Sequence, residues 1–409
     1  MNPTSEVAVP ALLDVLVVGA GLVGQALSLA LLKDNPGIRL ALVDPALLRE
    51  PALACEQDGL DDFDLRVSAL TDQSRRLFER LDAWSAIPRL QPYRSMKVWD
   101  AEGTGAVQFD AADLHVPALG HIVENRLALA ALWQQLKACE SLQVVTSAVR
   151  SIGSTDANGV TSVLLETGEE LHTRLLVGAD GAHSRIRAWA GLPTREWDYG
   201  HSAIVATIEC EQSLQQTAWQ RFLPSGPLAF LPMPTNPKLA SIVWSIGHDD
   251  AASLMALDDE TFLAELSKAF EYRLGKVVGI SRRALFPLRQ RHARCYWSNG
   301  IVLAGDAAHT IHPLAGQGVN LGFKDVEVLA EELTRAFQRG LAPGSAAVLG
   351  RYQRRREGDN LATMAAMEGF KRLFESQQPW VRLLRNEGMR RFDRLLPLKQ
   401  HAMMKAMGL

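Results

Sequence analysis

The sequence predicts an α/β fold: a Rossmann-type dinucleotide domain, an inserted antiparallel β-sheet domain and a C-terminal helical tail. Three observations carry that expectation. A β-branched run meets a glycine cluster in "DVLVVGAGLVGQALSLALLK", residues 14–33. Alternating apolar stretches, "SAIVATIEC" and "LASIVWSIG", fall within 191–294, with turn-forming residues in "PSGPLAFLPMP" between them. From 371 to 409 the charge turns basic, nine Lys and Arg against three Asp and Glu, interleaved with Leu, Met, Phe and Trp.

The length of 409 residues allows two or three domains with a sizeable core. A net charge of −3 and 22% charged residues argue against a nucleic-acid partner, which selects basic surfaces. Cys55, Cys139, Cys210 and Cys295 form no CxxC pair and no metal-ligand spacing, so neither a disulfide framework nor a metal site is expected. Reduced thiols suit a cytoplasmic protein. No run of eighteen apolar residues offers a transmembrane helix. The N-terminal apolar run lacks a basic flank and leads straight into the glycine cluster, so it reads as a first strand after a short tail.

Each element of the first domain follows from local chemistry. Gly19 permits the tight turn after the strand, Gly21 lets backbone approach a pyrophosphate, and Gly24 lets the helix pack close. The free amides at the helix start, around Ala20, Leu22 and Val23, suit an anion. A second strand, "IRLALVD", ends in Asp44, 20 residues after Gly24, where a carboxylate takes ribose hydroxyls. This pattern alone leaves NAD and FAD equally open. Further along, "RLLVGADGAHSRIRAWAG" reads as a strand running into Asp180-Gly181, then Arg185 and Arg187.

The stretch "GIVLAGDAAHTIHPLAGQGVNLGFKDVEVLA" favours a flavin. A strand at 301–304 ends at Gly305-Asp306, and that Asp can accept hydrogen bonds from a polyhydroxy chain such as ribitol. Pro313 fixes the backbone and removes a donor, keeping the loop open. A helix then starts in Gly316, Gln317, Gly318, Val319 and Asn320 and runs to about 337. Its first amides and positive end suit the anionic pyrimidine edge of a reduced flavin.

The motifs "GAGLVG", "GADGAHSRIR" and "AGDAAHTIHPLAGQGVN", in this order, resemble class A flavin monooxygenases, the group of para-hydroxybenzoate hydroxylase. Within that group "LRVSAL" at 65–70 and "HIVENRLALAALW" at 121–133 resemble the ubiquinone-biosynthesis hydroxylases of the UbiH, UbiF and UbiI type. The segment "PYRSMKVWD…VQFDAADLHVPALGHIVEN" and the ending "LKQHAMMKAMGL" look most like the branch acting on demethoxyubiquinol. The resemblance covers nearly the full chain.

It implies a glutathione-reductase-like FAD domain in two parts, 1–190 and 295–365, a sheet domain 191–294 over the flavin ring, and a basic helical segment 366–409. It implies that Gly19 to Gly24 hold the pyrophosphate, Asp44 the adenosine ribose and Asp306 the ribitol. Arg66 would touch the flavin phosphates or ring. Either Asn125 or Arg126 would reach the cofactor, and Gly316 to Asn320 would meet the isoalloxazine.

The implied reaction uses NAD(P)H as reductant and O2 as oxidant, and a flavin C4a-hydroperoxide delivers a hydroxyl to an electron-rich ring. The chain has no second glycine fingerprint for NAD(P)H, as in the family. The implied substrate is a polyprenylated phenol or quinol, of the 2-polyprenyl-3-methyl-6-methoxy-1,4-benzoquinol type. Another ring position, a soluble aromatic, or a non-catalytic flavin-binding role within a quinone-synthesis assembly remain alternatives. His309 could relay a proton or merely shape its loop. Trp219, Phe222, Phe230 and Trp244 could line the pocket or form sheet core. The tail could lie on an anionic membrane surface or cover the core with a solvated basic face.

Overall fold

The structure, a computed structural model, describes residues 12–48, 53, 55, 59–310, 318–376 and 378–408. The glycine cluster sits where the sequence pattern requires. Strand Val15–Val18 is wholly buried and leads into helix Leu22–Asp34. It lies at the centre of a six-stranded sheet, between Leu176–Gly178 and Leu40–Val43. Ile301–Leu303 and Leu142–Val145 extend that sheet on either side, all four pairings being parallel. A parallel sheet is covered on both faces, so its strands are continuous apolar runs rather than alternating ones. The helices Leu22–Asp34, Asn125–Lys137 and Gly318–Gln338 form one covering layer, with Leu22–Asp34 in the middle, and Val149, Val163, Leu165 and Leu171 of a three-stranded antiparallel sheet join the same core.

A nine-stranded sheet forms the second layer. Its centre is the long strand Thr194–Cys210, paired antiparallel with Leu239–Gly247 and Ala284–Ala293. Its far edge is Ser95–Asp100 and Ala106–Asp110, joined through a parallel pairing of Ser95–Asp100 with Thr217–Leu223. These two strands come from the 1–190 segment, so that boundary does not coincide with the sheet. At the opposite edge, His309–Thr310 pairs with Ala284–Ala293. The flavin-type loop therefore begins as an edge strand of the large sheet.

The two faces of this sheet serve different ends. On one, Trp219, Phe230 and Trp244 pack with Trp99 against helix Asp259–Ala269. The Phe230 ring stacks on Phe270 at 3.7 Å between centroids. These three aromatics are core, not pocket. On the other face Phe222 meets the C-terminal helices and stacks on Phe374 at 3.9 Å.

Those helices are Ala346–Glu375, Pro379–Arg394 and Leu396–Met407. Arg385 is buried, donating from Nε to Asp100 Oδ2 at 2.7 Å and from Nη1 to the carbonyls of Leu373 and Phe374. Lys399 is buried too, against the Gln108 carbonyl and Asp113. The basic residues of the tail thus divide into buried clamps and an exposed set that includes Arg390, Arg391 and Arg394. No helix among the described residues is long and apolar enough to cross a membrane.

Candidate active site

The three motifs meet at one place, through contacts that small residues permit. Gly19 has φ +108°, and a Cβ there would stand 2.4 Å from the Ala179 carbonyl oxygen of the second motif. A Cβ on Gly24 would stand 1.9 Å from the Gly19 carbonyl oxygen. Val23 packs into the third motif: Cβ atoms on Gly305 and Gly322 would approach its methyls to 2.9 and 2.6 Å. Arg187, buried, donates to the Ala307 carbonyl at 2.8 Å and to the Ala182 carbonyl at 3.0 Å. Asp180 caps the short helix Arg185–Trp189, accepting from the backbone of Arg185 at 2.8 Å.

Gly21 is the exception, for a Cβ there would meet nothing within 4 Å. It is the N-cap of helix Leu22–Asp34, which carries no side-chain cap and no acidic residue in its first turn. The helix therefore presents bare amides and a positive end beside open space, a fit for a pyrophosphate. Asp44 closes the end of the second strand, accepting from Ala20 N and Ala46 N at 2.7 Å each. The backbone fixes its orientation while each oxygen keeps a lone pair.

Asp306 is solvent-accessible although protein closely surrounds it, the disposition of a cleft wall. That crowding pushes its carboxyl up, and His309 and Arg66 pull it back only in part. Arg66 is exposed, its guanidinium 5.0 Å from the Phe286 ring centroid. Arg126 is held by its neighbours: it donates to Glu124 at 3.0 Å and to the Asp62 carbonyl at 2.9 Å. Asn125 is anchored through Oδ1 by the Ser68 hydroxyl at 2.6 Å.

Helix Gly318–Gln338 begins as expected, with Val319 against the core. Pro313, Gly316 and Gln317 lie outside the described residues, as does His312. Asn320 is buried, and its side chain is fully engaged. It donates to the Ala69 carbonyl at 2.8 Å and accepts from Ser74 Oγ at 2.7 Å and Thr71 N at 3.1 Å. Any contact of Asn320 with a flavin falls to its backbone amide.

A catalytic role for His309 is corrected by its burial. It is 3% exposed, and its Nε2 is 2.6 Å from Asp325 Oδ2. Asp325, fully buried, also accepts from Gly305 N at 3.0 Å and Arg356 Nε at 2.7 Å. Burial pushes the Asp325 carboxyl up, but His309 and Arg356 outweigh it and hold it below the usual carboxylate range. Arg356 continues to Asn360, which donates to Tyr296 Oη, itself 2.9 Å from His292 Nε2. This buried chain braces the flavin-type loop against the last long helices. Sequence reading missed it, although Asp325 gave a signal: it breaks the apolar stripe Leu321, Asp325, Leu329 on a helix face.

Beside this cleft lies a cavity of about 580 Å³. Thr71, which donates its amide to Asn320, lines one part. Met96, Val98, Val107, Phe109 and Phe222 of the large sheet line another, and Met367, Phe370, Phe374, Met389, Phe392 and Met403 of the tail helices complete it. Its lining is almost wholly hydrocarbon, thioether and aromatic. It is thus suited to a long apolar ligand whose one end lies beside Thr71.

The FAD binding domain family matches residues 111–364. The chain is 39% identical to 3-demethoxyubiquinol 3-hydroxylase of Escherichia coli (strain K12), over 97% of this chain and 98% of that protein. It is 36% identical to the mitochondrial ubiquinone biosynthesis monooxygenase COQ6 of Xenopus tropicalis, over 96% and 93% of the two chains. The fold is similar to p-nitrophenol 4-monooxygenase PnpA from Pseudomonas putida DLL-E4, with a TM-score of 0.73 at 17% identity over 97% and 98%. It is similar as well to PqsL from Pseudomonas aeruginosa, described as a probable FAD-dependent monooxygenase, with a TM-score of 0.72 at 21% identity over 93% and 99%. With FAD as its cofactor and NAD(P)H the usual reductant of the group, the chain belongs to the FAD-dependent monooxygenases of the ubiquinone-biosynthesis hydroxylase family.

Proposed function

We propose that this protein hydroxylates the ring of a polyprenylated ubiquinone precursor, a quinol of the 2-polyprenyl-3-methyl-6-methoxy-1,4-benzoquinol type. The observation that carries this reading is the apolar cavity bounded at one end by Thr71 beside Asn320 and elsewhere by exposed apolar residues. Phe370 and Leu384 line the cavity and are also exposed, so they form its rim. A hydrocarbon chain can leave the cavity there while the ring stays at the end bounded by Thr71.

FAD, when bound, activates O2 and supplies the hydroxyl placed on the ring. The protein's own groups bind and orient. The amides of Leu22, Val23 and Gly24 beside Gly21 take the pyrophosphate, and Asp44 takes the adenosine ribose. Asp306 takes the ribitol, and Arg66 the phosphates or ring. Asn125, rather than Arg126, faces the cofactor, because the Arg126 guanidinium is held by Glu124 and Asp62. The backbone at Gly318 to Asn320 meets the flavin ring, and Pro313, Gly316 and Gln317, outside the described residues, are assigned to the same motif by the sequence. The apolar wall keeps water from the reacting centre.

The rim extends into an exposed apolar surface. Trp380 and Leu383 are 63% and 71% exposed, and with Leu384 they lie three and four residues apart on one helix face. Arg390, Arg391 and Arg394 follow on the same helix, exposed. That combination suits the surface of an anionic bilayer, where a polyprenyl substrate resides, and supports peripheral membrane contact. Docking to other ubiquinone-biosynthesis proteins would use the same exposed surface.

The test compares NAD(P)H oxidation and product formation with a long-chain quinol and with a small water-soluble phenol. The long-chain substrate should be turned over with the lower KM, and anionic vesicles should lower it further. A preference for the soluble phenol would overturn the assignment.

A further inference from the structure

Four polar side chains line the cavity: Thr71, Tyr93, Gln220 and Arg385. Two of them are already used. Thr71 Oγ1 lies within reach of Ser74 and Asn320, and Arg385 is paired with Asp100. Tyr93 and Gln220 are different. They are 6% and 4% exposed, and among the described residues neither the Tyr93 hydroxyl nor the Gln220 amide has a hydrogen-bond partner. An unpaired polar group in an apolar chamber costs stability, so such groups are kept where a ligand completes them.

The fold aims both at the cavity deliberately. Gln220 lies on the cavity side of strand Thr217–Leu223, between Trp219 and Arg221, which point to the other face. Tyr93 ends strand Gln91–Tyr93 of a separate three-stranded sheet and is paired with Gly120. A Cβ at position 120 would stand 2.7 Å from Tyr93 Oη, so the glycine makes room for that hydroxyl. The two groups therefore approach the cavity from two different sheets. Burial pushes the Tyr93 phenol up to about 12, so it remains a neutral donor at physiological pH.

A phenol and a carboxamide each donate and accept, which matches hydroxyl and methoxy oxygens but not hydrocarbon. We propose that Tyr93 and Gln220 are positioning residues that hold oxygen substituents of the substrate ring, selecting an oxygenated ring and fixing which carbon faces the flavin. This rests on the cavity being the substrate site. It assigns the apolar wall to the chain and these two groups to the ring. A site built to hydrogen-bond an oxygen discriminates strongly against an analogue that lacks it, because its own buried groups are then left unpaired.

The test uses the FAD-loaded full chain with two volume-matched substitutions, Tyr93→Phe and Gln220→Met. Two probes are titrated by calorimetry in matched detergent: a methoxyphenol bearing a geranyl chain, and geranylbenzene, which has no oxygen. Wild type should prefer the methoxyphenol. Each variant should lose about tenfold in affinity for it, and nothing for geranylbenzene. KM should rise, and hydroxylated product per NAD(P)H consumed should fall, while the flavin spectrum stays unchanged. If wild type binds neither probe, the cavity is not the substrate site and both readings fail. If wild type binds both and the variants bind both as before, or lose both equally, Tyr93 and Gln220 are wall residues. The positioning proposal then falls while the cavity assignment stands.

Discussion

The dinucleotide half and the tail half of this molecule each depend on a buried Arg–Asp pair, and the two pairs do different work. Arg356–Asp325 lies inside a chain of hydrogen bonds running from Gly305 and His309 to His292. Arg385–Asp100 stands at the wall of an apolar cavity and pins a helix that is otherwise half exposed. The first pair fixes the loop that carries Asp306. The second holds a lid-like wall in place over the large sheet. The same charge pair, in two environments, ties a loop to two helices in one half and ties the tail to the edge of the large sheet in the other.

Removing each arginine should separate the roles of the two pairs. Arg356→Met leaves Asp325 buried with only His309 and the Gly305 amide, so we expect a loss of about 3–5 kcal/mol and loss of FAD together. Urea unfolding of wild type and variant measures it. The pH dependence has a definite sign. Asp325 is held below its ordinary value, so its contribution is full above about pH 4 and declines as pH falls through the lowered folded-state value. The gap between wild type and Arg356→Met should therefore be complete near neutrality and narrow in acid. A gap that widens in acid would contradict the assignment.

Arg385→Met should cost up to about 3 kcal/mol by the same reasoning, but locally. The tail helices should become open to limited proteolysis and the cavity should lose its ligand, while FAD stays bound. Concerted loss of FAD and tail would show that the two halves are one cooperative unit. For the same reason Arg385 cannot serve as a surface charge: reversing it tests folding, not membrane binding.

Asp306→Ala sharpens the cofactor side. The carboxylate is accessible in the cleft, so the protein should stay folded and lose about 1.5–3 kcal/mol of FAD affinity, roughly ten- to a hundredfold. Titration of FAD into the two apo-proteins checks it, and equal dissociation constants would remove Asp306 from the site. The smallest effect belongs to the exposed tail. Reversing Arg390, Arg391 and Arg394 to Glu should weaken sedimentation with phosphatidylglycerol vesicles by about 1 kcal/mol per charge and leave the flavin spectrum intact. Unchanged sedimentation would assign these residues to simple solvation.

The glycine turns and strand-end acids of the dinucleotide half are legible in the sequence, and the buried pairs of both halves are not. Gly19, Gly24 and Asp44 announce themselves because backbone approach and strand-end geometry admit few residue types, at fixed spacing. Asp306 and the start of the helix at Gly318 follow the same logic. Asp325 and Arg356 lie 31 positions apart, and only the packing of two helices makes them partners. His309 was ambiguous because a loop histidine reads alike whether it faces a cofactor or a buried acid. The tail composition was visible, but not that Arg385 and Lys399 turn inward, since a basic helix face looks the same in sequence whether it clamps or is solvated. Trp219, Phe230 and Trp244 were indistinguishable from Phe222 until the strand alternation placed them on opposite faces of the sheet.

On the proposed function, this protein transfers one atom of O2 to the ring of a polyprenylated quinol. The direct measurement supplies the FAD-loaded enzyme with NAD(P)H, a long-chain demethoxyubiquinol-type substrate and heavy-isotope O2, and reads the product by mass spectrometry. The expected product is a hydroxylated quinol carrying the heavy label on its ring, formed in step with NAD(P)H consumption. NAD(P)H oxidation that yields only hydrogen peroxide, with an unlabelled and unchanged quinol, would contradict it.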